Sequence, residues 1–350
     1  RLEELEKQIY QPCVVAVVGR VKAGKSTFIN ALLGDDLAKV GTTETTATIN
    51  YFSYGTPDLE KPIICHWRGG TTEYVSRAFL DNLQGNDIET LRRADGIEHL
   101  EYRFLSPYLE RVTLVDTPGT GAVVDEHQDR TADFLTLYSQ LRERHDKETR
   151  LVQRDADAVI YLIGSSAATT TDRDFLEAFS QVTGQDANPM NTMGVLSKID
   201  LSSALMERRH ELSEKISLQL KDSLNTIVPV SAGLYRAITN LQANDGAGLR
   251  DMVATLKQID SSLIEKMLSS ELLYLGDFPD CPVSVEKRES LLGDMPWMVF
   301  ATIASELTKH DDWMDALDAL ENMSGFGELR KALELNFFHR SDFLRCYRIV

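Results

Sequence analysis

The chain has 350 residues, of which 43% are apolar and 26% charged, enough to bury a large core and more than one ordinary domain needs. A formal net charge of -17 argues against a nucleic-acid binder, which needs clustered Lys and Arg to neutralise phosphate, and against a surface lying flat on anionic lipid. Cys13, Cys65, Cys281 and Cys346 stand far apart with no CxxC pair, so neither a zinc site nor a disulfide framework is indicated and a reducing cytoplasm fits.

The chain opens on RLEELEKQIY, without the apolar core of a signal peptide, and nowhere reaches the run of about 18 apolar residues that spans a bilayer. The expected location is cytoplasmic, or at most peripheral to a membrane. Arg1 as the first residue, and apolar periodicity running almost to Val350, read as two ends cut from something longer. Leu2, Leu5 and Ile9 recur at helical spacing until Pro12 stops them, which predicts a helix over 1–12. Cys13 to Val18 is a continuous apolar, β-branched run, the pattern of a central parallel strand covered on both faces.

Directly after that strand, Gly19-Arg20-Val21-Lys22-Ala23-Gly24-Lys25-Ser26 matches GxxxxGK[ST], and a helix follows from Thr27 to Leu33. Strand, glycine loop and helix in that order make a phosphate cradle: loop N–H groups and the helix N-terminus face the phosphates, Lys25 reaches the β/γ oxygens and Ser26 binds Mg²⁺. The threonine-rich stretch Gly41 to Thr48 comes next. Thr46, with Thr45 second, is the candidate for a further Mg²⁺ hydroxyl in a loop closing over the γ-phosphate. Thr46 to Tyr54 and Pro62 to Trp67 are strand-like but less continuous, and are expected toward one edge of the sheet.

Val112 to Val115 predicts another buried strand, closed by Asp116-Thr117-Pro118-Gly119. A carboxylate at that strand end suits the Mg²⁺ shell, and the Gly119 N–H suits a γ-phosphate sensor. His127 and Gln128, further on, read as a polar helix start, with an approach to the nucleotide on closure of this loop as the alternative. Ala158 to Ile163, Met193 to Leu196 and Ile227 to Val230 continue the buried strands, with helical patterns over Asp172 to Phe179 and Leu205 to Leu220. The alternation predicts a doubly wound α/β fold with a mostly parallel sheet and right-handed crossovers.

Ser197-Lys198-Ile199-Asp200 follows one of these strands and matches the guanine motif [NT]KxD except for its serine. Asp200 would accept from guanine N1–H and the 2-amino group, a pattern adenine does not offer, while the Lys198 stem lies along the ring; a wrong base would leave the carboxylate unpaired. Ser231-Ala232 ends the next strand, where the Ala232 N–H suits the guanine O6. If SKID is a coincidence, the chain is an ATPase instead. From Leu234 onward almost only helical patterns remain, broken at Gly246, Asp277 to Pro282, Asp294 to Pro296 and Ser324 to Gly325. Met295 to Phe300 is the most apolar local cluster; Pro296 suits a helix start, and Ile303 and Leu307 extend the stripe into a core helix rather than a lipid-inserting tip. Leu329, Leu333, Phe337 and Leu344 share one face of the last helix.

Taken together these motifs resemble the TRAFAC-class GTPases, and VVGRVKAGKSTFINALLG, TTATINYFSYG and DTPGTG resemble the bacterial dynamin-like proteins of the dynamin superfamily. The resemblance implies a P-loop GTPase core over 13–233, a helical extension over 234–323, and neck-type helices at 1–12 and 324–350 that would join a trunk this chain lacks. It implies GTP and GDP with Mg²⁺ as ligands, a homodimer across the nucleotide face, membrane contact through the trunk and a role in membrane remodelling. The binding set is then Gly19, Arg20, Val21, Lys22, Ala23, Gly24, Lys25, Ser26, Thr27, Gly119, Lys198, Asp200, Ser231 and Ala232, with Ser26, Thr46 and Asp116 for the metal. Thr120 stands where Ras-like enzymes carry a water-orienting Gln, so water positioning falls to Thr120 and Gly121 through the backbone. Lys22 holds the position used in related large GTPases to act on the β-γ bridging oxygen, or it is simply solvated. A binding switch with negligible hydrolysis is the alternative from another class. An assembly GTPase of the Era kind would need a basic RNA-binding appendage that is absent.

Overall fold

In the computed structural model the residues described are 12–20, 23–34, 48–81, 83, 88–117, 144, 147–148, 151–152, 156–164, 176, 191–310, 312–341 and 343–344. The strands among them are β1 (Cys13–Gly19), β2 (Asn50–Tyr54), β3 (Ile63–Trp67), β4 (Thr72–Val75), β5 (Ile97–Phe104), β6 (Val112–Asp116), β7 (Ala158–Ile163), β8 (Thr192–Leu196) and β9 (Ile227–Pro229). They form one sheet in the order β4-β3-β5-β2-β6-β1-β7-β8-β9. β1 lies at its heart, parallel to β6 and β7, and β7 is parallel to β8. Val15, Ala16, Val17 and Val18 are at most 1% exposed, which is why this strand reads as an unbroken apolar run: both of its faces are covered.

The helices are α1 (Lys25–Leu33), α2 (Arg77–Asp81), α3 (Ile88–Gly96), α4 (Ser203–Glu207), α5 (Arg209–Gln219), α6 (Ala232–Leu256), α7 (Ser261–Met267), α8 (Glu271–Tyr274), α9 (Val285–Leu292), α10 (Trp297–Lys309), α11 (Trp313–Ser324) and α12 (Phe326–Asn336). None of the described helices is long and apolar enough to cross a membrane.

The two segments expected toward one edge, β2 and β3, both lie on the β4 side of β1, but β2 is well inside the sheet, pairing parallel to β5 and antiparallel to β6. The reason lies in β4 and β5, which the apolar-run reading passed over. From His99 onward β5 alternates, with Leu100 and Tyr102 buried between the less buried His99, Glu101 and Arg103, while buried Ile97 lies beyond a register shift and out of that phase. A strand covered on one face carries a period-two pattern and no continuous run. Together with β3 these strands extend the sheet outward and leave β2 inside it. The single helix expected over Leu205 to Leu220 is in fact α4 and α5, because Arg208 leaves helical geometry at φ -94° and ψ 12°. α4 also begins early, since Ser202 Oγ caps it by accepting from Leu205 N at 3.3 Å.

The chain divides into two compact units, one of Arg1–Leu196, Glu214–Ile227 and Lys331–Val350, the other of Ser197–Ser213 and Val228–Arg330. The first holds β1 to β8 and α1. In the second, α10 buries Val299, Phe300, Ile303, Ala304 and Leu307, so the apolar cluster begun at Met295 belongs to a core helix. α6 breaks where Asn244, Asp245 and Gly246 all take positive φ. Arg288 is 1% exposed, and its guanidinium donates to the carbonyls of Tyr274, Gly276 and Val283. A buried cation so bonded fixes the connection between α8 and α9.

Candidate functional site

The loop that leaves β1 owes its shape to close packing. A Cβ at Gly19 would stand 2.8 Å from Leu162 O and 3.2 Å from Leu162 Cβ on β7, so only glycine fits. Ala23 N then donates to Arg20 O at 3.1 Å, turning the chain back. Gly24 starts α1 in the left-handed region, φ 89° and ψ 21°, and provides no side-chain cap. The helix therefore begins with first-turn N–H groups, those of Lys25, Ser26 and Thr27, that its own hydrogen bonding does not use. They are available to an anion, and the helix dipole favours one there.

Lys25 Nζ donates to Gly19 O at 3.2 Å and to Arg20 O at 3.3 Å. Two of its three protons are thus held by the loop, with the third left for a phosphate oxygen. Burial pulls this ammonium below its ordinary pKa, opposed by the Asp116 carboxylate. Asp116 ends β6 beside β1 in register with Val17. The next residue fastens that strand end: Thr117 N and Oγ1 both donate to Val17 O, at 3.4 Å and 3.1 Å.

Burial raises the Asp116 carboxyl to about 6, against the pull of Lys25 and a hydrogen bond from the Asn50 side chain. Asn50 faces Asp116 across the β2–β6 pair. Its amide is oriented by Thr48, whose Oγ1 donates to Asn50 Oδ1 at 3.2 Å and whose carbonyl accepts from Nδ2 at 3.3 Å. Asp116 Oδ1 is buried with no hydrogen-bond partner among the described residues. An orphaned buried carboxylate oxygen in the same unit as an anion-binding helix start, with the Ser26 hydroxyl in that helix's first turn, fits a hard oxygen-seeking cation such as Mg²⁺.

That burial has a measurable consequence. The folded value of about 6 lies above the ordinary 3.8, so the protonated acid is the form the fold favours. Its contribution to stability is complete below pH 3.8 and is lost as pH rises through about 6; at pH 7 the ionised carboxylate is a cost. Asp116→Asn is expected to stabilise the nucleotide-free chain at pH 7 by about 1–3 kcal/mol, with the gain shrinking toward pH 5. Thermal unfolding at the two pH values measures it, and an equal gain at both would contradict the assignment.

In the second unit, Ser197 is buried, and Lys198 takes a left-handed backbone, φ 61° and ψ 33°, at the head of a 3-10 turn over Ile199–Leu201. A lysine with positive φ is uncommon and such residues cluster at binding sites. Ile199, fully buried, pins the turn, and Lys198 and Asp200 on either side are half-buried. Asp200 Oδ2 lies beside Gly233, 2.6 Å from where a Cβ there would be, which sets the carboxylate at the N-terminus of α6. Ser231 caps that helix, its Oγ accepting from Leu234 N at 3.0 Å and its carbonyl from Tyr235 N at 3.1 Å. Ala232 is the first residue of α6, so its N–H has no partner within the helix. Ser231 N donates to Ser324 O at 2.9 Å, and the Tyr235 ring stacks on Phe326 at 4.2 Å and 8°.

The model of the Dynamin family matches residues 15–199, more than half of the chain. The chain belongs to the dynamin family. It is 27% identical over 358 residues to the isoniazid-induced protein IniC of Mycobacterium tuberculosis, a match covering 99% of this chain and 67% of IniC. To Dynamin-like protein 1 of Campylobacter jejuni it is 21% identical over 307 residues, covering 79% of this chain and 39% of that protein. A solved chain from an oligomerised bacterial dynamin pair, described as a mechanism for long range sensing and tethering of membranes, aligns with a TM-score of 0.44 and 18% identity. That alignment covers 78% of this chain and 43% of the other. The chain thus spans about two thirds of IniC and less than half of the other two.

In this dynamin-family GTPase domain the first unit brings together Gly19, Arg20, Ala23, Gly24, Lys25, Ser26, Thr27 and Asp116, and the second Lys198, Asp200, Ser231 and Ala232. Val21, Lys22, Thr45, Thr46, Gly119, Thr120, Gly121, His127 and Gln128 lie outside the described residues. Three contributors escaped the sequence reading. Asn50 looked like one more strand residue; Gly233 adjoins a recognised motif without belonging to it; Gly325 looked only like a helix break.

Proposed function

We propose that this chain hydrolyses GTP to GDP and phosphate with Mg²⁺, associates with a second copy across its nucleotide face, and serves membrane remodelling through parts of the protein beyond this chain. The observation that carries the reading is the pairing at the phosphate loop: a half-buried ammonium, Lys25, held by loop carbonyls, within electrostatic reach of the buried Asp116 carboxylate with its orphaned Oδ1. A cation for the β/γ oxygens and a carboxylate for a metal are what phosphoryl transfer asks of a protein, since its catalysis is mostly positioning and charge neutralisation.

Ser26 and Asp116, with Thr46, would hold Mg²⁺, which when bound neutralises charge on the phosphate oxygens. Lys25 binds the β/γ oxygens and Asp200 accepts from the guanine edge. Thr120 and Gly121 position the water through their backbone, and Lys22 acts at the β-γ bridging oxygen. The remodelling role is carried over from the resemblance to bacterial dynamin-like proteins and membership of the dynamin family.

A second reading, a GTP-loaded switch that hydrolyses negligibly alone, is favoured by Thr120 in place of a water-orienting Gln. Turnover per molecule measured over a range of protein concentrations separates the two. The dimer-activated enzyme predicts turnover that climbs with concentration; flat and very slow turnover would favour the switch.

A further inference from the structure

We propose that Gly233 is a specificity-determining residue of the guanine site: its missing side chain is the space in which Asp200 holds the carboxylate oxygen that reads the guanine 2-amino group. The inference rests on Asp200 being the guanine-selecting carboxylate. A Cβ at Gly233 would stand 2.6 Å from Asp200 Oδ2 and 3.5 Å from Val299 Cγ2. The second separation is ordinary contact, while the first is one that neither atom tolerates. Gly233 lies in the first turn of α6 and has no positive φ, so its backbone accepts alanine without strain, and alanine is the better helix former. The conflict is with Asp200 alone.

What yields is decided by what is fixed. The start of α6 is tied at Ser231, which accepts from Leu234 N at 3.0 Å and donates to Ser324 O at 2.9 Å, and at Tyr235, stacked on Phe326 at 4.2 Å. The 3-10 turn that carries Asp200 is pinned by fully buried Ile199. The free element is the half-exposed end of the Asp200 side chain, which turns aside at little cost to the fold. Gly233 therefore acts through Asp200, as a positioning residue whose effect appears in base selection and not in stability.

Guanine offers a carboxylate two donors, N1–H and the 2-amino group, whereas hypoxanthine offers N1–H alone. The ratio of GDP to IDP affinity therefore reports the second hydrogen bond, worth about tenfold to a hundredfold for a bond to a charged acceptor. The test measures Mg²⁺-dependent binding of GDP and IDP to the 350-residue chain by calorimetry, for the wild type, Gly233→Ala, Asp200→Ala and the double variant. The wild type is expected to prefer GDP by about tenfold or more, and Gly233→Ala to bring the ratio near one with its melting temperature unchanged or raised. The double variant should match Asp200→Ala, because the two changes remove one interaction. If Gly233→Ala keeps the wild-type ratio while Asp200→Ala loses it, the proposal is overturned and the guanine reading stands. An unchanged ratio in Asp200→Ala defeats the guanine reading itself. Loss of both nucleotides in parallel with a fall in melting temperature marks Gly233 as merely structural and also overturns the proposal. Should Gly233→Ala fail to fold, the double variant, free of the clash, is expected to fold; one that does not also counts against it.

Discussion

Lys25→Ala is expected to weaken guanine-nucleotide binding by about a hundredfold or more, the loss of one or two charge-assisted bonds to phosphate oxygens, and to leave the nucleotide-free chain folded. The second half follows from the cost of keeping this ammonium where it is. Burial already pushes Lys25 toward its neutral form, and its two hydrogen bonds, at 3.2 Å and 3.3 Å, go to loop carbonyls and are long. Removing the side chain forfeits little packing and relieves a desolvated charge. It also removes the cation that opposes the upward shift of Asp116, so the carboxyl should titrate higher than in the wild type. Calorimetric binding of GDP with Mg²⁺, read beside thermal unfolding, separates a lost ligand contact from a lost fold. Intact affinity in a folded Lys25→Ala chain would contradict the role of the loop.

Gly325→Ala is expected to destabilise the chain by about 3 kcal/mol or more, combining a left-handed backbone with a severe overlap. Gly325 sits at φ 75°, and a Cβ there would overlap the carbonyl oxygen of Pro229. Unlike Gly233, the neighbour is main chain that cannot swing away. The turn also has a functional side: Ser324 O accepts from Ser231 N at 2.9 Å, so forcing Gly325 off Pro229 disturbs the residues assigned to the guanine O6. A drop of roughly 4 °C or more in melting temperature is the expected size for a chain of 350 residues, with weakened guanine binding in what remains folded. Gly327, two residues on, is the control. It lies in α12, and a Cβ there meets nothing within 4 Å, so Gly327→Ala should stabilise by about 0.5–1 kcal/mol. If both variants behaved alike, the contact with Pro229 would not matter.

The contrast between these glycines indicates which parts of the fold could be read in advance. The strand, loop and helix around Lys25 are legible because the phosphate cradle is local: its spacing is set by consecutive backbone geometry, and the flanking run Cys13 to Val18 announces a strand buried on both faces. The break of α6 at Gly246 and the core role of α10 were legible for the same reason, as local turn chemistry and helical periodicity. β4 and β5 were not, since β4 is exposed except at Val75 and β5 interleaves polar residues with buried Leu100 and Tyr102, so that both resemble polar connections. Asn50, Gly233 and Gly325 carry no local signature either. Each matters through a partner far along the chain, Asp116, Asp200 and Pro229 respectively, and only folding brings those pairs together.

The choice of base proposed for Asp200 is tested most directly, together with the phosphate loop, by a competition experiment. A labelled GTP analogue bound to the chain in Mg²⁺ should be displaced by GTP at concentrations several orders of magnitude below those at which ATP displaces it, because an adenine edge leaves the carboxylate unpaired. Asp200→Ala should erase that gap. Equal displacement by ATP and GTP from the wild-type chain would contradict the account.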